Sequence, residues 1–299
     1  SAAFKRMDKR SQHVRRLILD RFCETDNRGE MPFRLMEPKH LYAIRDNKYD
    51  TPEAANADIK ALRQVFKDGI KRGHCDTNPA RDVEYLSSNN PDGYHTWTIR
   101  EVEKFEARHP VGTTPRLALA LLLYTSQRRS DVVRLGRQHE VEDGAALEYT
   151  QFKGRNKRPI EMFTPIIGEL RRIINASQTG DMVYLVTQHG RPYTSNGFGN
   201  AMRRWCDQAG LNHCTAHGLR KAAATRLGDL GASAKMIQAI TGHETLEQVD
   251  RYTKKADKKR LAKEAMRLLE ESMCVPLSTD MEKGGTKPTA KTLKNKGEK

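Results

Sequence analysis

The stretch from His217 to Tyr252 sets two histidines, an arginine and a tyrosine among apolar residues at helical spacing. His217 and Arg220 form an H-x-x-R pair, which on a helix puts both side chains on one face and within reach of one anion. His243 follows a glycine, and Tyr252 comes shortly after it. These are the groups needed to hold a phosphate and attack it with a phenol. The transition state of a phosphodiester concentrates negative charge on the nonbridging oxygens, and planar guanidinium forks answer it best. Arg128, distant in sequence and just past an apolar helix, is a second such fork. Each of these residues alone reads as an ordinary surface or salt-bridging group. Their company is what gives the chemistry.

The elements that would position them follow from the rest of the chain. With 299 residues the length suits two domains, and a formal charge of +15 points to a polyanionic partner, nucleic acid before an anionic membrane. The longest apolar run, Leu117 to Tyr124, is too short to span a bilayer, and nothing resembles a signal peptide. A soluble, intracellular protein is expected. Five scattered cysteines without a C-x-x-C pair read as reduced thiols. Cys206, His213, Cys214 and His217 lie near one another in sequence but lack paired-ligand spacing, so no metal site is read there.

Residues 1–22 carry seven Lys/Arg against two Asp, with Val14, Leu17, Ile18 and Phe22 as the stripe of a basic amphipathic helix. A short helix is predicted after Pro38. A third is signalled by Thr51 as cap, Pro52 in the first turn, a stripe of Ala55, Ile59, Leu62, Phe66 and Ile70, and Gly73 as stop. The turn-rich stretch from Asn78 to Tyr94 reads as a linker, with the domain boundary near 86–95.

Thr98 and Glu101 have the form of a capping box opening the next helix. The segment from about Pro115 to Thr125 is apolar nearly all round and therefore central, delivering Arg128 and Arg129 past its end. Residues 145–152 and 158–163 read as two strands of a hairpin, with Lys153 at the turn and Pro159 suited to an edge. A helix around Ile166–Ile174, a short strand at Val183–Val186 and a helix capped by Ser195 and stopped by Gly210 follow. A last helix is expected over Ala256–Ser272. The fold class is mainly α with a small β-sheet.

The set resembles the tyrosine recombinase, or phage integrase, family. That family has an arginine after a buried helix in a T-G-x-R-x-x-E context, and the chain reads Thr125-Ser126-Gln127-Arg128-Arg129-Ser130-Asp131, with Ser126 and Asp131 in place of Gly and Glu. Its hairpin lysine is matched by Lys153, with Lys157 as the second candidate. The H-x-x-R box is matched by His217 and Arg220, the following His or Trp by His243, and the nucleophile by Tyr252.

The resemblance implies a helical core-binding domain over 1–88 that lacks the domain's first helix, an α+β catalytic domain over 96–273 and a disordered basic tail over 274–299. It implies a site-specific DNA recombinase acting through a 3′-phosphotyrosyl intermediate without metal, ATP or other cofactor. The catalytic residues would be Arg128, Lys153, His217, Arg220, His243 and Tyr252. Its partners would be double-stranded DNA, three further copies in a tetramer and accessory DNA-bending proteins, in a bacterial cytoplasm. A catalytically inactive DNA-binding remnant of a mobile-element integrase is the alternative. Supercoil relaxation by the same chemistry, as in the related type IB topoisomerases, is a third reading.

Overall fold

The computed structural model describes residues 1–90, 93–253 and 258–274. The chain forms two compact units, Ser1–Tyr94 and His95–Lys299.

In the first unit a single turn, α1 (Ala2–Lys5), precedes α2 (Lys9–Glu24), α3 (Pro38–Asp46) and α4 (Pro52–Lys71). Helix α4 opens at a proline, whose missing N–H costs nothing in a first turn, and gives way to Gly73 in the left-handed conformation (φ 72°). Its Ala55, Ile59, Leu62 and Phe66 are buried and build the core with Leu41 and Ile44 of α3, whereas Ile70 is 40% exposed. Helix α2 meets this core through Leu19 and Phe22, while Val14 and Leu17, expected on the buried stripe, stay 45% and 55% exposed. The rotation suits Arg21, whose Nη2 lies 3.0 Å from the buried carboxylate of Asp58, which Lys48 also pairs. The turn-rich stretch after Asn78 is fastened to α4. Asn56 exchanges two hydrogen bonds with the backbone of Leu86, and Arg63 donates to the carbonyls of Ala80 and Val83.

The second unit opens with α5 (Ile99–Arg108), where Thr98 and Glu101 form the expected capping box. Helix α6 (Thr114–Thr125) is its axis, with Leu117, Leu119, Leu121 and Leu122 at most 1% exposed. After a single turn, α7 (Arg129–Val132), come the strands β1 (Glu140–Val141), β2 (Ala146–Thr150) and β3 (Glu161–Pro165), antiparallel in that order. Then follow α8 (Gly168–Ala176), α9 (Ser195–Gln208), α10 (Ala216–Asp229), α11 (Ala234–Thr241), α12 (Leu246–Thr253) and α13 (Lys258–Cys274). Helices α5, α8, α9 and α10 close on α6 through Phe105, Ile173, Phe198 and Leu219, all fully buried. Val249 anchors α12 against Ala224 and Ile237 in a smaller cluster.

Two local expectations change. Val183–Val186 forms no strand, only an isolated bridge from Val186 to Pro192. The run is apolar because it is core, and Tyr184 N–H donates to Leu135 O instead of joining a ladder. The third strand is the two-residue β1, where no periodicity can show. The cap of α9 is Thr194, whose hydroxyl accepts from Gly197 N, with Ser195 as first helical residue. The expected tail beyond Cys274 and residues 256–257 of the last helix lie outside the described residues. Among the described residues no helix is long and apolar enough to cross a membrane.

Candidate active site

Helix α6 ends abruptly because Ser126 turns left-handed (φ 54°), the position where the family pattern has glycine. The chain reverses there, and Arg128 becomes the N-cap residue of α7 with a half-buried side chain. Its Nη1 donates to Gln151 Oε1 at 2.7 Å. Gln151 continues β2 by one residue, its N–H bonding to Ile160 O, so the sheet fixes the partner that orients the arginine.

Helix α10 is capped by Thr215 and presses its first turn against the start of the unit: a Cβ on Gly218 would lie 2.2 Å from His95 O. His217 faces outward, whereas Arg220, one turn on, is 2% exposed. Arg220 Nη1 donates to Ser126 O at 2.7 Å, which ties the two arginine-bearing turns together. Its Nη2 reaches His243 Nε2 at 3.1 Å.

His243 follows Gly242, the left-handed residue (φ 63°) that ends α11. The Thr241 hydroxyl donates to Ile237 O at 2.7 Å and lies 2.6 Å from His243 Nδ1. A hydroxyl has one proton, so Nδ1 carries the hydrogen and Nε2 offers its lone pair to Arg220. The imidazole is therefore neutral. Burial, and next to it the charges of Arg220, Arg128 and His217, bring its pKa down to about 3. His217 is lowered as well, first by desolvation of its ring and then by the charges of Arg220, Arg128, Lys221 and Lys153. The charges of Arg220 and Arg128 thus bear on both imidazoles, and those of Lys221 and Lys153 on His217.

Two glutamines that sequence reasoning did not single out hold this arrangement. The last carbonyls of a helix have no partner within it. At the end of α11, Gln127 Nε2 donates to Ile240 O at 2.7 Å and Gln151 Nε2 to Thr241 O at 3.1 Å. Gln151 Nε2 also donates to Gln127 Oε1 at 2.8 Å, and both residues are fully buried. The amides join the turn carrying Arg128, the end of β2 and the helix end leading to His243. A buried amide next to an arginine leaves no periodic trace in sequence.

Lys153 is exposed on the turn between β2 and β3. The root of that turn is held by Asp131, 3% exposed, whose Oδ1 accepts from Phe152 N at 2.6 Å. The guanidinium carbons of Arg134 and Arg155 lie 3.7 and 3.6 Å from the centroid of the Phe152 ring. Tyr252 belongs to α12, three residues after Val249; its side chain lies outside the described residues. His213 and Cys214 do cluster, but with His95 and Glu101 instead of Cys206 and His217.

Against known proteins, residues 99–259 match the model of the phage integrase family. The chain is 26% identical to tyrosine recombinase XerC 2 of Ralstonia nicotianae, over 65% of this chain and 59% of that protein's length. It is 27% identical to tyrosine recombinase XerC of Lacticaseibacillus casei over 76% of this chain and 81% of that one. Its fold is shared with a lambda integrase dimer bound to a core site (TM-score 0.71, 19% identity, 84% of this chain and 91% of the other). The Tn1549 transposon integrase in complex with a circular intermediate DNA is similarly close (TM-score 0.72, 17% identity, 88% and 95%). With more than half of its residues matched to the family model, the chain belongs to the phage integrase family of tyrosine recombinases.

Proposed function

We propose that the chain is a site-specific DNA recombinase that cuts and rejoins duplex DNA through a 3′-phosphotyrosyl intermediate. The observation that supports this most is that Arg220 ties its helix to the turn before Arg128 through Ser126 O and bonds His243, with the charges of Arg220 and Arg128 acting on both imidazoles. Such a centre suits a phosphodiester: the two guanidinium groups bind its nonbridging oxygens and gain as charge builds there.

In the proposed reaction the Tyr252 oxygen attacks phosphorus and the bond to the 5′-oxygen breaks. His217, kept neutral, accepts the phenol's proton, and Lys153 delivers one to the departing 5′-oxygen. Burial and then the charges of Arg220 and Arg128 keep His243 neutral; an anion beside Arg220 offsets those charges, so His243 can take a proton from water at Nε2 and donate it to the phosphate. Attack by a 5′-hydroxyl of a partner strand reverses these steps. One phosphodiester is exchanged for another of similar energy, so the scheme asks for neither a metal nor a nucleotide.

The first unit then serves to bind DNA and the second to catalyse, with a net charge of +15 giving strongly salt-dependent affinity. Strand exchange needs several copies on the DNA, and the lambda integrase tetramer bound to a Holliday junction offers a pattern for a tetramer. The exposed Met266, Leu268 and Leu269 of α13 provide an apolar surface for a neighbouring copy.

The test is a nicked duplex carrying a site selected from a randomised pool, from which cleavage releases a short fragment and strands the enzyme. A covalent protein–DNA adduct is expected with the native chain and none with Tyr252→Phe. An adduct that persists in Tyr252→Phe rules the reading out.

A further inference from the structure

Away from this centre, four side chains with metal-binding atoms converge from three segments of the second unit. Nε2 of His95 lies 2.9 Å from both carboxylate oxygens of Glu101, and Nε2 of His213 lies 2.6 Å from Oε1 of the same group. The Cys214 sulfur completes a set whose four atoms all lie within 4.8 Å of one another. Two imidazoles, one carboxylate and one thiol are the donor types that four-coordinate zinc takes, and the soft thiolate favours it over magnesium or calcium.

The frame behind these donors is already fixed. Glu101 is held by the capping box with Thr98, which presents its carboxylate at the head of α5. The loop bearing His213 and Cys214 is pinned by Arg203, which donates to the carbonyls of Asn212 and Cys214, and by Lys104, which donates to Gly210 O at 3.2 Å. Trp97 Nε1 donates to Thr215 O at 2.9 Å, so the segment starting at His95 is docked beside that loop without any ion. Cys214 is fully buried, while the side chains of His95 and His213 remain 38% and 56% exposed. The two rings can therefore turn until the donors stand about 3.3–3.7 Å apart, the edges of a tetrahedron with bonds of 2.0–2.3 Å. Backbone pinning of the loop is the kind of support that a ligand set needs around it.

We infer that His95, Glu101, His213 and Cys214 form a structural zinc site that staples the first residues of the second unit to the loop leading into α10. The ion would sit just ahead of the helix carrying His217 and Arg220 and on the first residue of the unit. It takes no part in phosphoryl transfer. Its effect is to hold the start of the second unit against the head of that helix.

The experiment uses the full chain, loaded with zinc, passed over a desalting column and assayed for bound metal, with cobalt as spectroscopic probe. One zinc per chain is expected, and with cobalt a thiolate-to-metal charge-transfer band. Cys214→Ser should abolish that band, and His95→Gln and His213→Gln should each weaken zinc binding at least tenfold; both replace exposed side chains and leave the fold intact. Zinc should raise the melting temperature of the native chain and not that of His213→Gln. Substoichiometric zinc in the native chain, or a cobalt band that survives Cys214→Ser, overturns the site. Neither readout depends on recombination, so the zinc site and the proposed recombinase activity stand or fall separately.

Discussion

Arg220 Nη2 lies 3.1 Å from Nε2 of His243, so the guanidinium donates into the nitrogen that would otherwise take a proton. The pair is stable because the imidazole is neutral; protonating it would set two cations side by side in a buried place. The pKa of His243 is about 3 in the folded chain, against 6.5 for an ordinary histidine. The unfolded chain therefore binds a proton in this range that the folded one does not, and folding stability rises with pH. The contribution is complete above about pH 6.5 and is lost as pH falls below it, at no more than about 1.4 kcal/mol per pH unit. His217, lowered too, adds in the same direction. Urea unfolding at pH 7.5 and pH 5 should show this loss, and His243→Gln should flatten it.

Gln151→Leu should cost about 2–4 kcal/mol, because it leaves the Gln127 amide oxygen and the Thr241 carbonyl buried without one of their donors. It also frees Arg128 from its acceptor. DNA cleavage should fall by roughly 10–100-fold, as expected for a reacting group displaced by about 1 Å. DNA binding, carried by many other cations, should change far less. Parallel filter-binding and cleavage assays separate the two; an equal loss in both would count against a positioning role.

The left-handed residues at the ends of α6 and α11 predict opposite outcomes. Gly242→Ala should destabilise by at least about 1–2 kcal/mol, the cost of a left-handed alanine. The added Cβ would also stand 2.4 Å from Gln151 Nε2 and 2.7 Å from Met162 Sδ. Ser126→Gly relieves the same strain at φ 54° and should stabilise by up to about 1 kcal/mol after the entropic penalty of glycine. Paired chemical denaturation curves test both.

Lys153→Ala should slow cleavage by about 10²–10⁴-fold if its ammonium protonates the leaving oxygen. A substrate whose 5′-bridging oxygen is replaced by sulfur leaves as a thiolate that needs no proton, and it should restore most of the rate. Lys157→Ala should do neither. Normal cleavage by Lys153→Ala would move the role elsewhere on the turn.

The placement of the candidate site was legible in sequence wherever a charged or ring-bearing residue stood beside a helix boundary. His217 and Arg220 could be placed on one helix from their spacing, though the Thr215 cap that starts α10 was not read; the α6 turn carrying Arg128 followed from an all-apolar helix that had to be buried. The glutamine pair could not, since Gln127 and Gln151 have meaning only once a sheet end and a helix end meet. The same holds for His95 and Glu101, which become neighbours of His213 by folding alone; Glu101 and His213 are 112 residues apart. In the first unit, periodicity gave a helix within residues 1–22, found over Lys9–Glu24, but not its rotation. Which side of α2 is buried depends on Asp58, a long-range partner of Arg21. The run at Val183–Val186 shows the reverse ambiguity, because burial alone makes a sequence look like a strand.

The interlocked amides of Gln127 and Gln151 also constrain how this protein can change over time. Each is donor and acceptor to the other's surroundings, so a lone substitution at either position strands a polar atom in the interior. A matched exchange of both for apolar residues does not escape this, because the carbonyls of Ile240 and Thr241 at the end of α11 would still lose their donors. Along any lineage the two positions should then be kept together, with single and paired apolar replacements alike short-lived. The turn that presents Arg128 would record this as joint constancy of two amides that carry no charge.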